Sequence, residues 1–209
     1  MNTLETIDLH KVIKKNRVLS NINLSLDGGH VYAFRGKNGS GKTMLFRVLS
    51  GLSPPTSGHV LYNGKPFQKE RPSIGVVIEN ASLFPQFTGF QNLSYLASIQ
   101  KTASDEDIAK SLLRVGLDPY DKRTVKKYSL GMKQRLLIAQ AIMERPDYLF
   151  LDEPTNAIDK NGIELIHKIV SEEASRGAVV LLASHIDSDV STLAEHCFFM
   201  RKGEIIEET

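Results

Sequence analysis

The sequence predicts an α/β core with a helical lobe inserted into it, and three observations carry that reading. A short apolar run, Val31–Phe34, leads into a glycine-rich loop and then a helix beginning near Lys42. Two continuous apolar runs, Tyr148–Leu151 and Ala178–Ala183, have the character of strands covered on both faces. Between them Asp159–Ser175 reads as an amphipathic helix with Ile163, Ile166 and Val170 on one face. The stretch from about Ser82 to Arg145 reads mainly as helix.

In chain order, Ile22, Leu24 and Leu26 alternate with Asn23 and Ser25, the pattern of a half-buried strand. Asp27-Gly28-Gly29 is a turn ahead of Val31–Phe34. His59–Tyr62 and Ile74–Ile78 are further strands, and Asn63-Gly64 is a strong turn signal. Ser104–Asp107 resembles a capped helix start, with Ile108, Leu112 and Val115 at helical spacing and Gly116 as its stop. A second helix is expected from about Gly131 to Glu144, ended by Pro146. Lys202-Gly203 turns a closing hairpin. Neither repeats nor linkers interrupt the chain, so 1–209 is expected to form one domain, with 1–80 and 146–209 as core and 81–145 as the helical lobe.

Composition narrows the function classes. Hydrophobic residues make up 41% and charged residues 24%, which fits a packed globular chain. A net charge of +2 gives no footprint for nucleic acid, and the basic stretches Lys11–Arg17 and Lys122–Lys127 read as solvated surface. The single cysteine, Cys197, excludes an intrachain disulfide and reads as a small core residue. No apolar run approaches the roughly 20 residues that span a bilayer, and Met1–Lys15 lacks the apolar stretch of a signal peptide. The expected location is therefore cytoplasmic, with any membrane role exerted through a partner.

Gly36-Lys37-Asn38-Gly39-Ser40-Gly41-Lys42-Thr43 fits the phosphate-loop pattern G-x-x-x-x-G-K-[ST]. Its glycines let successive backbone N–H groups of Asn38, Gly39, Ser40 and Gly41 turn into one concavity, towards which the following helix directs its positive end. Lys42 is placed to reach the β- and γ-phosphates and Thr43 to offer a hydroxyl to magnesium. Tyr148–Leu151 ends in Asp152-Glu153. Asp152 suits the metal site at a sheet edge, and Glu153, one residue on, points elsewhere and can polarise water. Tyr128–Arg135 precedes a helix, where Ser129 can cap the helix or hold an anion.

With these residues in order, the chain resembles the nucleotide-binding domains of ABC transporters over nearly its whole length. The match comprises the phosphate loop, a signature at Ser129–Gln134, Asp152-Glu153, a D-loop-like Asn156-Ala157-Ile158-Asp159, and Ser184-His185. The Tyr-Ser-Leu-Gly-Met-Lys-Gln-Arg variant looks most like the ATPases of bacitracin- and lantibiotic-type exporters. The resemblance implies an ABC-type ATPase core with a mixed sheet, an antiparallel β subdomain and an inserted helical subdomain. It implies ATP and Mg2+ as cofactors, separate transmembrane permease subunits as partners, and a homodimer or pseudo-dimer closed head to tail over two ATP molecules. In that arrangement Ser129 and Gly131 of one copy contact the γ-phosphate held by Lys42 of the other. Glu153 polarises the attacking water, His185 contacts the γ-phosphate, and Asp159 lines the interface. The transporter reading places the chain on the inner face of the membrane. A soluble ABC ATPase acting on ribosomes or DNA is the alternative, and the tandem domains or long coiled coil usual in such proteins are not evident in this sequence.

The sequence departs from the family in three places. The position usually held by an adenine-stacking aromatic falls on Ile13, which predicts apolar contact with the base and tolerance of GTP. The glutamine usual after the Ile74–Ile78 strand falls on Glu79, whose carboxylate can still take part in the metal site. The signature has Leu130 and Met132 where the family usually has glycine and glutamine, a pattern shared by the bacitracin-type group.

Overall fold

The computed structural model describes residues 1–78 and 82–208. An antiparallel sheet opens the chain, formed by β1 (Thr3–Ile13), β2 (Asn16–Asp27), β4 (Ser57–Tyr62) and β5 (Lys65–Pro66) in the order β2-β1-β4-β5. Between its strands the chain makes β3 (Val31–Arg35) and α1 (Lys42–Leu49), and after them a short helix, α2 (Phe67–Glu70). A second sheet collects β3, β6 (Ile74–Val77), β7 (Tyr148–Asp152), β8 (Val179–Ala183), β9 (His196–Arg201) and β10 (Glu204–Glu208) in the order β10-β9-β3-β8-β7-β6. Its pairings are parallel except for the closing hairpin β9/β10. The helices α3 (Gly89–Gln100), α4 (Asp105–Arg114) and α5 (Leu130–Ile142), with a 3-10 turn at Val125–Lys127, fill the segment between β6 and β7. The remaining helices, α6 (Lys160–Ser175) and α7 (Asp187–Leu193), flank β8 in sequence. The mixed sheet, the antiparallel sheet and the helical insertion all match the expected architecture.

The alternation of side chains explains why the central strands are continuously apolar. Leu149, Leu151, Val180 and Leu182 pack on one side with Leu136, Ile138 and Ile142 of α5 and Ile166 and Val170 of α6. Tyr148, Phe150, Val179 and Leu181 pack on the other with Leu45, Phe46 and Leu49 of α1 and with Leu4, Ile22 and Leu24 of the antiparallel sheet. Both faces of the parallel sheet are covered, so every residue of β7 and β8 is buried. Tyr148 keeps its hydroxyl satisfied by donating to Thr3 O at 3.0 Å, and burial pushes its pKa up to about 12.

Local signals set the helix ends. Ser104 and Asp107 form the capping box that the sequence predicts at the start of α4, and Gly116 follows its end with φ at +70°. Thr88 and Gln91 form a second box at α3. Ser129 caps α5, and Asp159 caps α6 by accepting the Gly162 N–H at 2.9 Å. The interior strand β1, paired with β2 and β4, carries a weaker sequence signal for a physical reason. Asp8 sits at φ +46° in a bulge, so Leu4 and Thr6 are buried on one parity and Leu9 on the other.

Candidate nucleotide-binding site

The parallel strands β3, β6, β7 and β8 run in one direction, so their carboxyl ends share one edge of the sheet. Register aligns that edge: Asp152 is opposite Ala183, and Ala183 is opposite Phe34. Each strand then releases a loop at the same level. The phosphate loop follows Arg35, Glu153 follows β7 and Ser184-His185 follow β8. Ligand sites in open α/β sheets form outside these ends, and a cleft of about 1390 Å3 lies there, lined by the whole of Gly36–Thr43 together with Asp152, Glu153 and His185.

The loop is built by close approach. A Cβ on Gly36 would lie 2.4 Å from Met200 O, and Gly41, at φ +112°, would meet Leu19 and Gly203. Gly203 N–H donates to Ser40 O at 2.8 Å, so the turn of the closing hairpin braces the loop from outside. Lys42 is 7% exposed, and its Nζ donates to Gly36 O at 2.7 Å, which holds the ammonium across the concavity. Thr43 Oγ1 donates to Asp152 Oδ2 at 2.6 Å. A hydroxyl and a carboxylate oxygen, the hard donors that magnesium takes, therefore meet beside the loop.

Glu153 is held in an uncommon backbone state. Its φ is +51°, a left-handed conformation that costs a residue with a Cβ about 1–2 kcal/mol. Its N–H donates to Ala183 O at 2.8 Å, and its own carbonyl accepts from Asn156 N–H at 3.3 Å and Gln134 Nε2 at 3.4 Å. The turn swings the side chain off the strand line of Asp152 to meet His185, whose Nδ1 lies 2.7 Å from Glu153 Oε2. A carboxylate only accepts, so Nδ1 carries the proton of that bond. Gln134 also donates to Pro154 O at 3.2 Å, which ties α5 of the helical insertion to the loop after β7. The sequence reading gave Gln134 no such part, because a contact across 19 residues depends on how the insertion docks.

The other expected residues lie elsewhere. Ser129 spends its oxygen on the Met132 N–H at 3.2 Å, as a helix cap. With Gly131, Ala157 and Asp159 it lines a second depression, whose lining includes no residue of the phosphate loop. Ile13 ends β1 and is 38% exposed, whereas Val18 on the returning strand β2 lines the cleft. Glu79 falls outside the described residues. Cys197 is half-buried, and burial raises its thiol pKa, which keeps it a poor nucleophile.

The chain matches the ABC transporter family over residues 19–156. The chain belongs to the ABC transporter family. Within it, the uncharacterized ABC transporter ATP-binding protein YybJ of Bacillus subtilis is 47% identical, over 97% of this chain and 94% of its own length. The lantibiotic transport ATP-binding protein SrtF of Streptococcus pyogenes is 37% identical, over 98% of this chain and 90% of its own. Among solved structures, the dimeric bacterial ABC transporter cassette MJ0796 superposes with a TM-score of 0.90 at 22% identity, covering 99% of this chain and 97% of that one. This ABC protein is an ATP-binding, ATP-hydrolysing transporter subunit, as the ordered motifs imply, and the lantibiotic-type likeness is borne out by its relatives.

Among the described residues that line the cleft there is no Phe, Tyr or Trp, and Val18 is one of its apolar residues. We expect the Kd for GTP to fall within about tenfold of that for ATP, roughly 1.4 kcal/mol. A nucleotide titration that shows a hundredfold preference for ATP overturns this.

Proposed function

We propose that this subunit closes head to tail with a second copy, or with a homologous subunit, over two ATP molecules and drives export through separate transmembrane permease subunits. The observation that carries the proposal is the convergence at one sheet edge of Lys42, the Thr43–Asp152 pair and the Glu153–His185 pair. Lys42, with the N–H groups of Asn38–Thr43, binds the phosphates. Thr43 and Asp152 would hold Mg2+, with Glu79 as a further expected ligand, and the ion would offset phosphate charge during phosphoryl transfer. Glu153 orients and deprotonates the attacking water, and His185 fixes Glu153 from the opposite loop and reaches the terminal phosphate.

The depression that holds Ser129, Gly131 and Asp159 supports the dimer reading. Neither Ser129 nor Gly131 lines the cleft of its own phosphate loop, which favours a γ-phosphate contact with the loop of another copy. Each nucleotide then favours the closed state, and hydrolysis releases it. Among the described residues no helix is long and apolar enough to cross a membrane, and the proposal assigns the permease segments to other chains. The face we propose for them is on the helical insertion, where the rings of Phe84, Phe87 and Tyr95 meet tilted or edge-on with centroids 5.1–6.1 Å apart and Tyr95 is 51% exposed. The proposal of export rests on the signature variant Tyr128–Arg135, and SrtF, whose name records lantibiotic transport, supports the transport part of it. The proposed location is the cytoplasmic face of the cell membrane.

The test is co-purification of a tagged Glu153→Gln chain from membranes in mild detergent with ATP. A polytopic membrane protein at near-equal stoichiometry is the expected result. Ribosomal proteins or DNA, with nothing from the membrane, would transfer the assignment to a soluble ATPase.

A further inference from the structure

One buried carboxylate takes no part in the chemistry described above. Asp189, on α7, is 0% exposed. Its Oδ2 accepts from Thr155 Oγ1 at 2.5 Å and from Ser184 Oγ at 2.9 Å, and its Oδ1 lies 2.9 Å from His167 Nε2. These partners come from the loop after β7, the end of β8 and α6 respectively. Ser184 Oγ in turn accepts the Ile186 N–H at 3.0 Å, so both neighbours of His185 in the chain are tied to the hub. Thr155 stands two residues beyond Glu153 and is 3% exposed. Leaving a carboxylate unpaired in such a place is costly, so its three donors are locked as firmly as it is.

The hub lies where the sheet stops providing order. The β7/β8 ladder ends at Asp152 opposite Ala183, and the next residues of each strand carry Glu153 and His185 out of register. We propose that Asp189 is a positioning residue that cross-links the two loops so that Glu153 Oε2 and His185 Nδ1 meet. This rests on the roles proposed above for those two side chains.

The test compares ATP turnover, ATP affinity and thermal melting of the full chain for Asp189→Ala, Asp189→Asn and Thr155→Val, beside Glu153→Gln and His185→Ala. Misplacing reacting groups by about 1 Å costs on the order of 10²-fold in rate. Asp189→Ala is expected to lower kcat at least about tenfold while KM and Kd for ATP stay within about threefold, since the hub's hydrogen bonds go to Thr155, His167 and Ser184 and not to the phosphate loop. Asp189→Asn keeps an oxygen for both hydroxyls and a donor for the other tautomer of His167, so it is expected to restore most of the turnover. Thr155→Val removes one of the bonds at nearly constant volume, and it decides the matter where Asp189→Ala does not fold. Unchanged kcat in folded Asp189→Ala and Thr155→Val, or a loss that follows KM, or no rescue by Asp189→Asn, overturns the inference. If Glu153→Gln and His185→Ala turn over ATP like the unmodified chain, the roles assigned above fail and the inference with them. If those two lose turnover while the hub variants keep it, the inference alone fails.

Discussion

Glu153→Gln is expected to lower ATP turnover by about 10²–10⁴-fold, the usual contribution of a positioned general base. The amide keeps the size of the side chain and can still bond to His185, so the left-handed turn at Glu153 and its backbone bonds to Ala183, Asn156 and Gln134 survive. What disappears is a proton acceptor for the attacking water. Binding should be nearly untouched, because the phosphates are held by Lys42 and the loop N–H groups, so the Kd for ATP should stay within about threefold. The variant should also accumulate the ATP-bound dimer, since hydrolysis is the step that opens it. Single-turnover hydrolysis and gel filtration with ATP check both halves. Turnover within threefold of the unmodified chain would remove Glu153 from the mechanism.

Lys42→Ala should act at the opposite step. The ammonium is almost enclosed and is oriented by the Gly36 carbonyl, so its charge meets the phosphates with little competing water. Removing one partner of a buried charged pair costs about 2–5 kcal/mol, or on the order of thirty- to several-thousand-fold in Kd. ATP affinity should fall by that amount, and turnover at ordinary ATP concentration should vanish with it. The fold should hold, because Lys42 supports the loop through one hydrogen bond while Gly203 and Leu19 pack the loop from behind. Isothermal titration with ATP gives the measurement, and melting in the absence of nucleotide confirms that the loss is local. An unchanged Kd would mean that the backbone N–H groups alone hold the phosphates.

Much of the architecture was legible because its signals are local. The continuous apolar runs of β7 and β8 reflect burial on two faces, and the capping residues Ser104 and Ser129 are local hydrogen-bond chemistry that needs no tertiary context. The bulge at Asp8 blurred β1, since one extra residue shifts the buried parity and breaks the alternation that marks a strand. Asn92 shows the same limit in the helical insertion. It is fully buried in α3 because its amide bonds to Phe84 and Thr88 across a turn, which no periodicity announces.

The sequence by itself determined the phosphate loop, the acidic pair after β7, the α/β order of elements and, through its motifs in series, the family. Each of these is written in contiguous residues, where backbone conformation and side-chain chemistry are set within a few positions. Tertiary structure alone decided which side chains meet. It brought Glu153 to His185 across 32 residues, docked Gln134 against the loop after β7, placed Val18 in the cleft while Ile13 ends its strand half-exposed, and gathered Thr155, His167 and Ser184 around Asp189. Those contacts follow from strand register and from helix docking on the sheet, which depend on the packing of distant apolar faces.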